Sequence, residues 1–183
     1  MSDSSDGDLG FDGLIGAASA ADGFDWEEEA SDADVSEQIV AVLRFAVGER
    51  EFAVPTEYVV EIVSDLSITR VPGAPKHIRG VGVLRRQVIG VLDLNQWLDP
   101  VAQSDVEQFS RVVIVEAGAY TVGIEVAEVT GLDDWPEQVL DRSRIPDSIN
   151  TRTRRYAAGI RLSEDDATVL LNVPRLLGDA AVQ

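Results

Sequence analysis

Few residues in this chain have the types and spacing that chemistry needs, and most of them lie in one stretch, "HIRGVGVLRRQVIGVLDL" (His77 to Leu94). Gly80, Gly82 and Gly90 stand near the chain's single histidine, His77, and two adjacent arginines, Arg85 and Arg86. Glycines before an arginine suggest a phosphate-binding turn. That motif needs a third glycine and a helix whose N-terminus faces the phosphates, and here the third glycine is missing and a strand pattern follows. His77 has no serine, acid or second ligand at a spacing that would complete a triad or a zinc site. The chain has no cysteine, which excludes disulfides, thiolate catalysis and cysteine zinc sites. The acids at 164–166 are too few for a calcium loop and read as a solvated turn. No nucleophile, base and oxyanion site come together, so the expectation is a binding protein and not an enzyme, with no cofactor and no metal.

Composition narrows the partner. Of 33 acids in the 183 residues, 12 fall in residues 1–37, which hold no Lys or Arg. The remaining 21 acids face 15 bases, so the body keeps a net charge of −6. An acidic body with no basic stripe excludes nucleic acid as the expected partner. The bases are 14 arginines and Lys76. With the acid excess, this resembles proteins of salt-loving organisms; a GC-rich genome and an acidic tail account for it equally well. No apolar window is long enough to span a membrane and no leader pattern is visible, so a cytoplasmic protein is expected.

The elements that must position these residues are mostly strands. Residues 1–37 read as a disordered acidic tail, too poor in apolar surface to offset the entropy of ordering. Its islands Leu14-Ile15, Phe24 and Trp26 are a possible short docking motif or incidental. From residue 38 the alternation of Ile39, Ala41, Leu43 and Phe45 marks a strand, Gly48 a turn, and "EFAV" its return. Pro55 opens a predicted helical stretch, "TEYVVEIV". Residues 80–84 and 88–94 read as strands on either side of "RRQ", followed by a helical turn in "DLNQWLD". Two further hairpins lie in "RVVIVEAGAYTVGIEVAEVTGL" and "YAAGIRLSEDDATVLLNVPRLL". The connection "DDWPEQVLDRSRIPDSINTRTRR" is polar and reads as a surface excursion.

The halves echo each other. A shift of 70 residues places Gly48 on Gly118, Phe45 on Val115, Phe52 on Val122 and Val59 on Val129. A shift of 79 places Val91 on Leu170, Asp93 on Asn172 and Leu98 on Leu177. Short alternating strands suit small closed barrels, because closure removes exposed edges. The expectation is a mainly β fold of two small barrels packed side by side with short helices, the first over about 38–103 and the second over about 104–179, with exchange of strands between them allowed.

Taken in order, "FAVGEREFAVPTEYVVEIV", "HIRGVGVLRRQVIGVLDL", "VVIVEAGAYTVGIEVAEVTGL" and "YAAGIRLSEDDATVLLNVPRLL" resemble the CheW-like family, the coupling proteins of chemotaxis and the related regulatory domain of the kinase CheA. The resemblance covers about residues 38–179. It implies two five-stranded Src-homology-3-like barrels with a shared apolar seam. It also implies an adaptor that couples transmembrane chemoreceptors to CheA without catalysis, recruited to receptor arrays at the inner face of the membrane. The implied partners are the CheA regulatory domain and the receptor hairpin tips; a free-standing module that competes for a signalling kinase is the alternative. Carried over by position, Glu61 and Arg85 match a pair able to fix the hairpin against the preceding element. Val59, Gly80, Val113, Gly123 and Val129 match positions linked to partner contact, although core packing and turn geometry also call for valine and glycine there. Three positions depart from the family pattern: Val83 replaces an asparagine, Arg86 a glycine and Gly90 a proline. Arg86 therefore joins the candidate partner-binding residues.

Overall fold

The computed structural model describes residues 39–101, 111–163 and 166–181. The acidic segment 1–37 and the Glu164–Asp165 part of the acid turn lie outside them. The chain runs through β1 (Ile39–Val47), β2 (Arg50–Pro55), a 3-10 turn (Thr56–Tyr58), β3 (Val59–Val63), β4 (Ile68–Thr69), β5 (Ile78–Leu84), β6 (Gln87–Asp93) and α1 (Leu94–Leu98). It continues through β7 (Arg111–Ala117), β8 (Tyr120–Val126), β9 (Glu128–Pro136), 3-10 turns at Glu137–Leu140 and Arg142–Arg144, α2 (Thr151–Tyr156), β10 (Ala157–Leu162), β11 (Ala167–Leu171) and α3 (Val173–Ala181).

The strands form two sheets, ordered β10-β11-β2-β1-β9 and β3-β7-β8-β6-β5-β4. The sheets do not follow a division at residues 103/104. The β1–β2 hairpin joins strands of the second half, and the β7–β8 hairpin joins strands of the first. The exchange is reciprocal, and its registers repeat. In the parallel pairs, Gly90 stands beside Val122 and Val91 beside Gly123, while Val169 stands beside Phe52 and Leu170 beside Ala53. Shifts of 79 and 70 residues carry one set onto the other. The bulges repeat as well, between Val59 and Glu61 against β7 and between Arg44 and Phe45 against β9. Gly48 and Gly118 turn the two exchanged hairpins with φ of 60° and 63°, a left-handed geometry that glycine adopts without a Cβ penalty.

Each sheet wraps its own apolar interior. Val42, Ala53, Trp135, Val139 and Leu170 fill the first, and Ile89, Val91, Val112 and Ile114 the second. A larger cluster lies between the sheets and draws on both, with Phe45, Leu92, Val113, Trp97, Leu176 and Leu177 enclosed in it. Each enclosed aliphatic side chain contributes about 1.5–3 kcal/mol relative to exposure. The helices are held at matching ends: Asp93 accepts from the Gln96 amide at 2.9 Å and Asn172 from the Arg175 amide at 3.0 Å. Such caps are worth about 1 kcal/mol each.

Two sequence expectations change. Residues 59–63 form an edge strand, and only Thr56–Tyr58 is helical. Four of those five residues are β-branched, which favours extended backbone, and the bulge at Val60 produces the spacing that imitates a helix. The stretch 133–155 is not wholly a surface excursion, because its first residues complete β9 and Trp135, Val139, Ile145 and Thr153 are buried within it.

Candidate protein-docking site

The β5–β6 hairpin is closed by the Leu84–Gln87 pair, so its turn is the two residues Arg85 and Arg86. Their φ values are 48° and 71°. Two consecutive left-handed residues are what a tight hairpin turn needs to match strand twist, and asparagine and glycine usually supply them. Here two arginines do so, at a cost on the order of 1–2 kcal/mol per residue. The flanking Val83–Val88 pair and the valine-rich strands hold the register that imposes this.

The tip does not stand free. Arg85 donates from Nη2 to Oε2 of Glu61 at 3.0 Å, which ties it to edge strand β3. Glu61 occupies the strand position directly after the bulge, which sets its carboxylate toward the hairpin. Arg86 is exposed and has no ion pair among the described residues. The result is a pinned tip carrying one uncompensated positive charge on an acidic body.

The other candidate residues fall in different places. Val59, half-buried, lies on the same strand as Glu61 and pairs with Val115. Val113 is fully enclosed in the shared cluster. Gly123 is buried beside Val112 and Val91, inside the second sheet. Gly80 is buried with φ of 152° and its α-carbon against the Thr69 carbonyl, leaving no space for a Cβ. Val129 is on β9 of the other sheet, paired with Phe45 as Val59 is with Val115. The structure therefore brings Val59, Glu61, Arg85 and Arg86 to one region and leaves Val113, Gly80 and Gly123 in packing roles.

Charged groups away from the tip went unnoticed in the sequence because their strands alternate like any other. Arg79 donates to Glu125 at 2.5 Å, and Glu125 is nearly buried. Burial pushes the Glu125 carboxyl up, and the Arg79 guanidinium offsets only part of this. On the first sheet, Glu51 accepts from Thr168 at 2.5 Å, Thr130 at 2.7 Å and Arg44 at 3.2 Å. Burial acts to raise its pKa, but these partners together hold it below the ordinary glutamate value. Asp133 accepts from Trp135 Nε1 and Arg161 and is likewise held low. His77 packs edge-on against Trp97 with ring centroids 4.5 Å apart. No group of three or more histidines or acids is placed to hold a metal among the described residues. No helix among them is long and apolar enough to cross a membrane.

The exposure of the apolar residues near the tip was also missed. Val83 and Val88 are 66% and 70% exposed, and Tyr120 on neighbouring β8 is 43% exposed. Alternating valines read as core in a sequence; only the sheet's position tells which end extends past the core.

Comparison with known proteins follows the same outline. A family model described as the CheW-like domain matches residues 41–181. The chain is 25% identical over 137 residues to the chemotaxis protein CheW of Helicobacter pylori, covering 70% of this chain and 82% of that protein. It is 32% identical over 92 residues to the protein FrzA of Myxococcus xanthus, covering 50% of this chain and 57% of FrzA. It is 29% identical over 92 residues to the protein PilI of Pseudomonas aeruginosa, covering 50% and 51%. The crystal structure of the scaffolding protein TtCheW from Thermoanaerobacter tengcongensis superposes with a TM-score of 0.63 at 24% identity, covering 74% of this chain and 90% of that one. The fold is thus mainly β, with the two sheets as two small Src-homology-3-like barrels.

Proposed function

We propose that this chain, which belongs to the CheW-like domain family, is a chemotaxis-type signalling adaptor that couples chemoreceptors to the histidine kinase CheA by protein contacts alone. The observation that carries the reading is the extent of the family match, residues 41–181, which takes in both sheets and the shared core. The names of the relatives, a chemotaxis protein and a scaffolding protein, support the same reading. The pinned β5–β6 tip supplies a surface suited to it: rigid, partly apolar and singly charged. On this reading the CheA regulatory domain and the receptor hairpin tips are the partners, and the chain works at receptor arrays on the inner face of the membrane.

Coupling requires a change in kinase output, and that is the test. A kinase and receptor fragment from the same organism are mixed with and without the chain, and kinase phosphorylation is followed. An adaptor makes the output respond to the receptor fragment; an output that ignores the chain contradicts the proposal. The strained Arg86 favours a second reading, a module that competes for a kinase. For a competitor, the chain lowers receptor control when added to a working receptor–kinase mixture, and replacing Arg86 by glycine restores coupling.

A further inference from the structure

Faces related by the internal repeat are not treated alike. On the first sheet, Phe52, Ile160 and Val169 are buried in the shared cluster. Ile145, which follows a 3-10 turn packed on β10, is buried in that same cluster. The repeat carries Phe52, Ile160 and Val169 onto Val122, Val81 and Gly90. Gly90 stands opposite Val81 on β5 and beside Val122 on β8, so these three share one face of the second sheet. There, nothing among the described residues covers the glycine: a Cβ placed on it meets no atom within 4 Å. One strand repeat nearer the tip, the same face continues through the exposed Val83, Val88 and Tyr120. A groove of about 470 Å³ runs along Val88, Tyr120 and Val122. Arg86 precedes Gln87, which lines that groove.

We infer that this face is a docking site for an acidic protein segment that lays one aliphatic side chain over Gly90 and sets a carboxylate against Arg86. The hollow selects the aliphatic group, since its counterpart on the first sheet is filled by Val169. The charge selects the acid. Glu61 neutralises Arg85 and leaves Arg86 as the cation that a partner meets. Left-handed backbone is retained at arginine where glycine would relieve it, and strain of that kind concentrates at working surfaces. Arg86 lies in the turn that leads into β6, four residues before Gly90, so the two contacts are at most about 13 Å apart. The identity of the partner rests on the adaptor reading, and the face itself does not.

The full chain, labelled for amide NMR, is titrated with a synthetic peptide carrying a leucine and, four residues later, a glutamate in a neutral polar background. It is then titrated separately with the CheA regulatory domain and the receptor fragment. The peptide is expected to move the amide signals of 81–90 and 120–122. Gly90→Leu and Arg86→Glu are each expected to weaken it at least tenfold with the thermal midpoint unchanged. If Gly90→Leu disturbs folding, Gly90→Ala takes its place. No peptide binding at this face, or binding indifferent to both substitutions, overturns the inference even where a partner complex forms. Peptide bound at this face with neither protein partner bound leaves the inference standing and overturns the coupling reading alone.

Discussion

Arg85 and Glu61, 24 residues apart in the chain, meet at 3.0 Å and pin the tip of one hairpin to the edge strand of the same sheet. The pair is placed by three backbone devices: a two-residue left-handed turn, a bulge after Val59 and the curvature of the sheet that brings its edge strand β3 to the hairpin. Arg85 is 75% exposed, so the pair contributes only about 0–1 kcal/mol to stability. Its consequence is orientation. Arg85→Glu is expected to leave urea stability within about 1 kcal/mol of the parent while reducing affinity for the partners. The exchange Glu61→Arg with Arg85→Glu is expected to recover part of that affinity. A loss of several kcal/mol in the single variant would make the pair a structural one.

Arg86→Gly relieves a left-handed residue that carries a side chain. Urea unfolding is expected to show a gain of about 1 kcal/mol. Arg86→Ala keeps the Cβ and is expected to gain nothing. Equal behaviour of the two variants would mean that the φ of 71° carries no strain.

Gly80 and Gly159 occupy equivalent bulges in the two halves, and a Cβ on either would run into a backbone carbonyl, of Thr69 and Val139 respectively. Alanine at either site is expected to cost about 3 kcal/mol, the upper range for overpacking, read as a fall in the urea midpoint. Loss of partner binding in a Gly80 variant would therefore report misfolding, and it should be judged beside Gly159→Ala.

Acid should weaken the fold through Glu51 and Asp133. Both carboxyls are held below their ordinary values in the folded chain. Their contribution is therefore present above the ordinary carboxylate range and is lost as pH falls through the depressed folded values. Glu125 acts in the opposite sense. Its folded value is raised, so its contribution is greatest below the ordinary glutamate value and fades as pH climbs through the raised one. Stability measured by urea between pH 3 and pH 7, on the order of the carboxylate range, should show a shallower acid limb for Glu51→Gln. Glu125→Gln should leave the acid limb in place and change the slope above it. An unchanged acid limb in Glu51→Gln would place the acid sensitivity elsewhere.

The repeat was legible in the sequence because strand alternation and turn glycines recur at fixed offsets. Gly48 and Gly118, and Asp93 and Asn172, mark equivalent turns and caps. Which strands pair was not legible. Alternation tells which side of a strand is apolar and not which neighbour it meets, so the reciprocal exchange of the β1–β2 and β7–β8 hairpins became visible only in the registers. The edge strand at 59–63 was obscured by its bulge. Trp135 and Ile145 were lost inside a polar connection because one large apolar residue among charges has no period. At the candidate site, the Arg85–Glu61 pair was legible from the family resemblance. The left-handed arginines followed only from the two-residue turn. The open hollow at Gly90 depends on how far the other described residues lie from it, which no residue at that position encodes.

An adaptor of the proposed kind holds two proteins at once. Sedimentation of the full chain with the CheA regulatory domain and a receptor cytoplasmic fragment measures this directly. One species containing all three is expected, reduced in amount by Arg85→Glu. A chain that sediments alone at every partner concentration would contradict it.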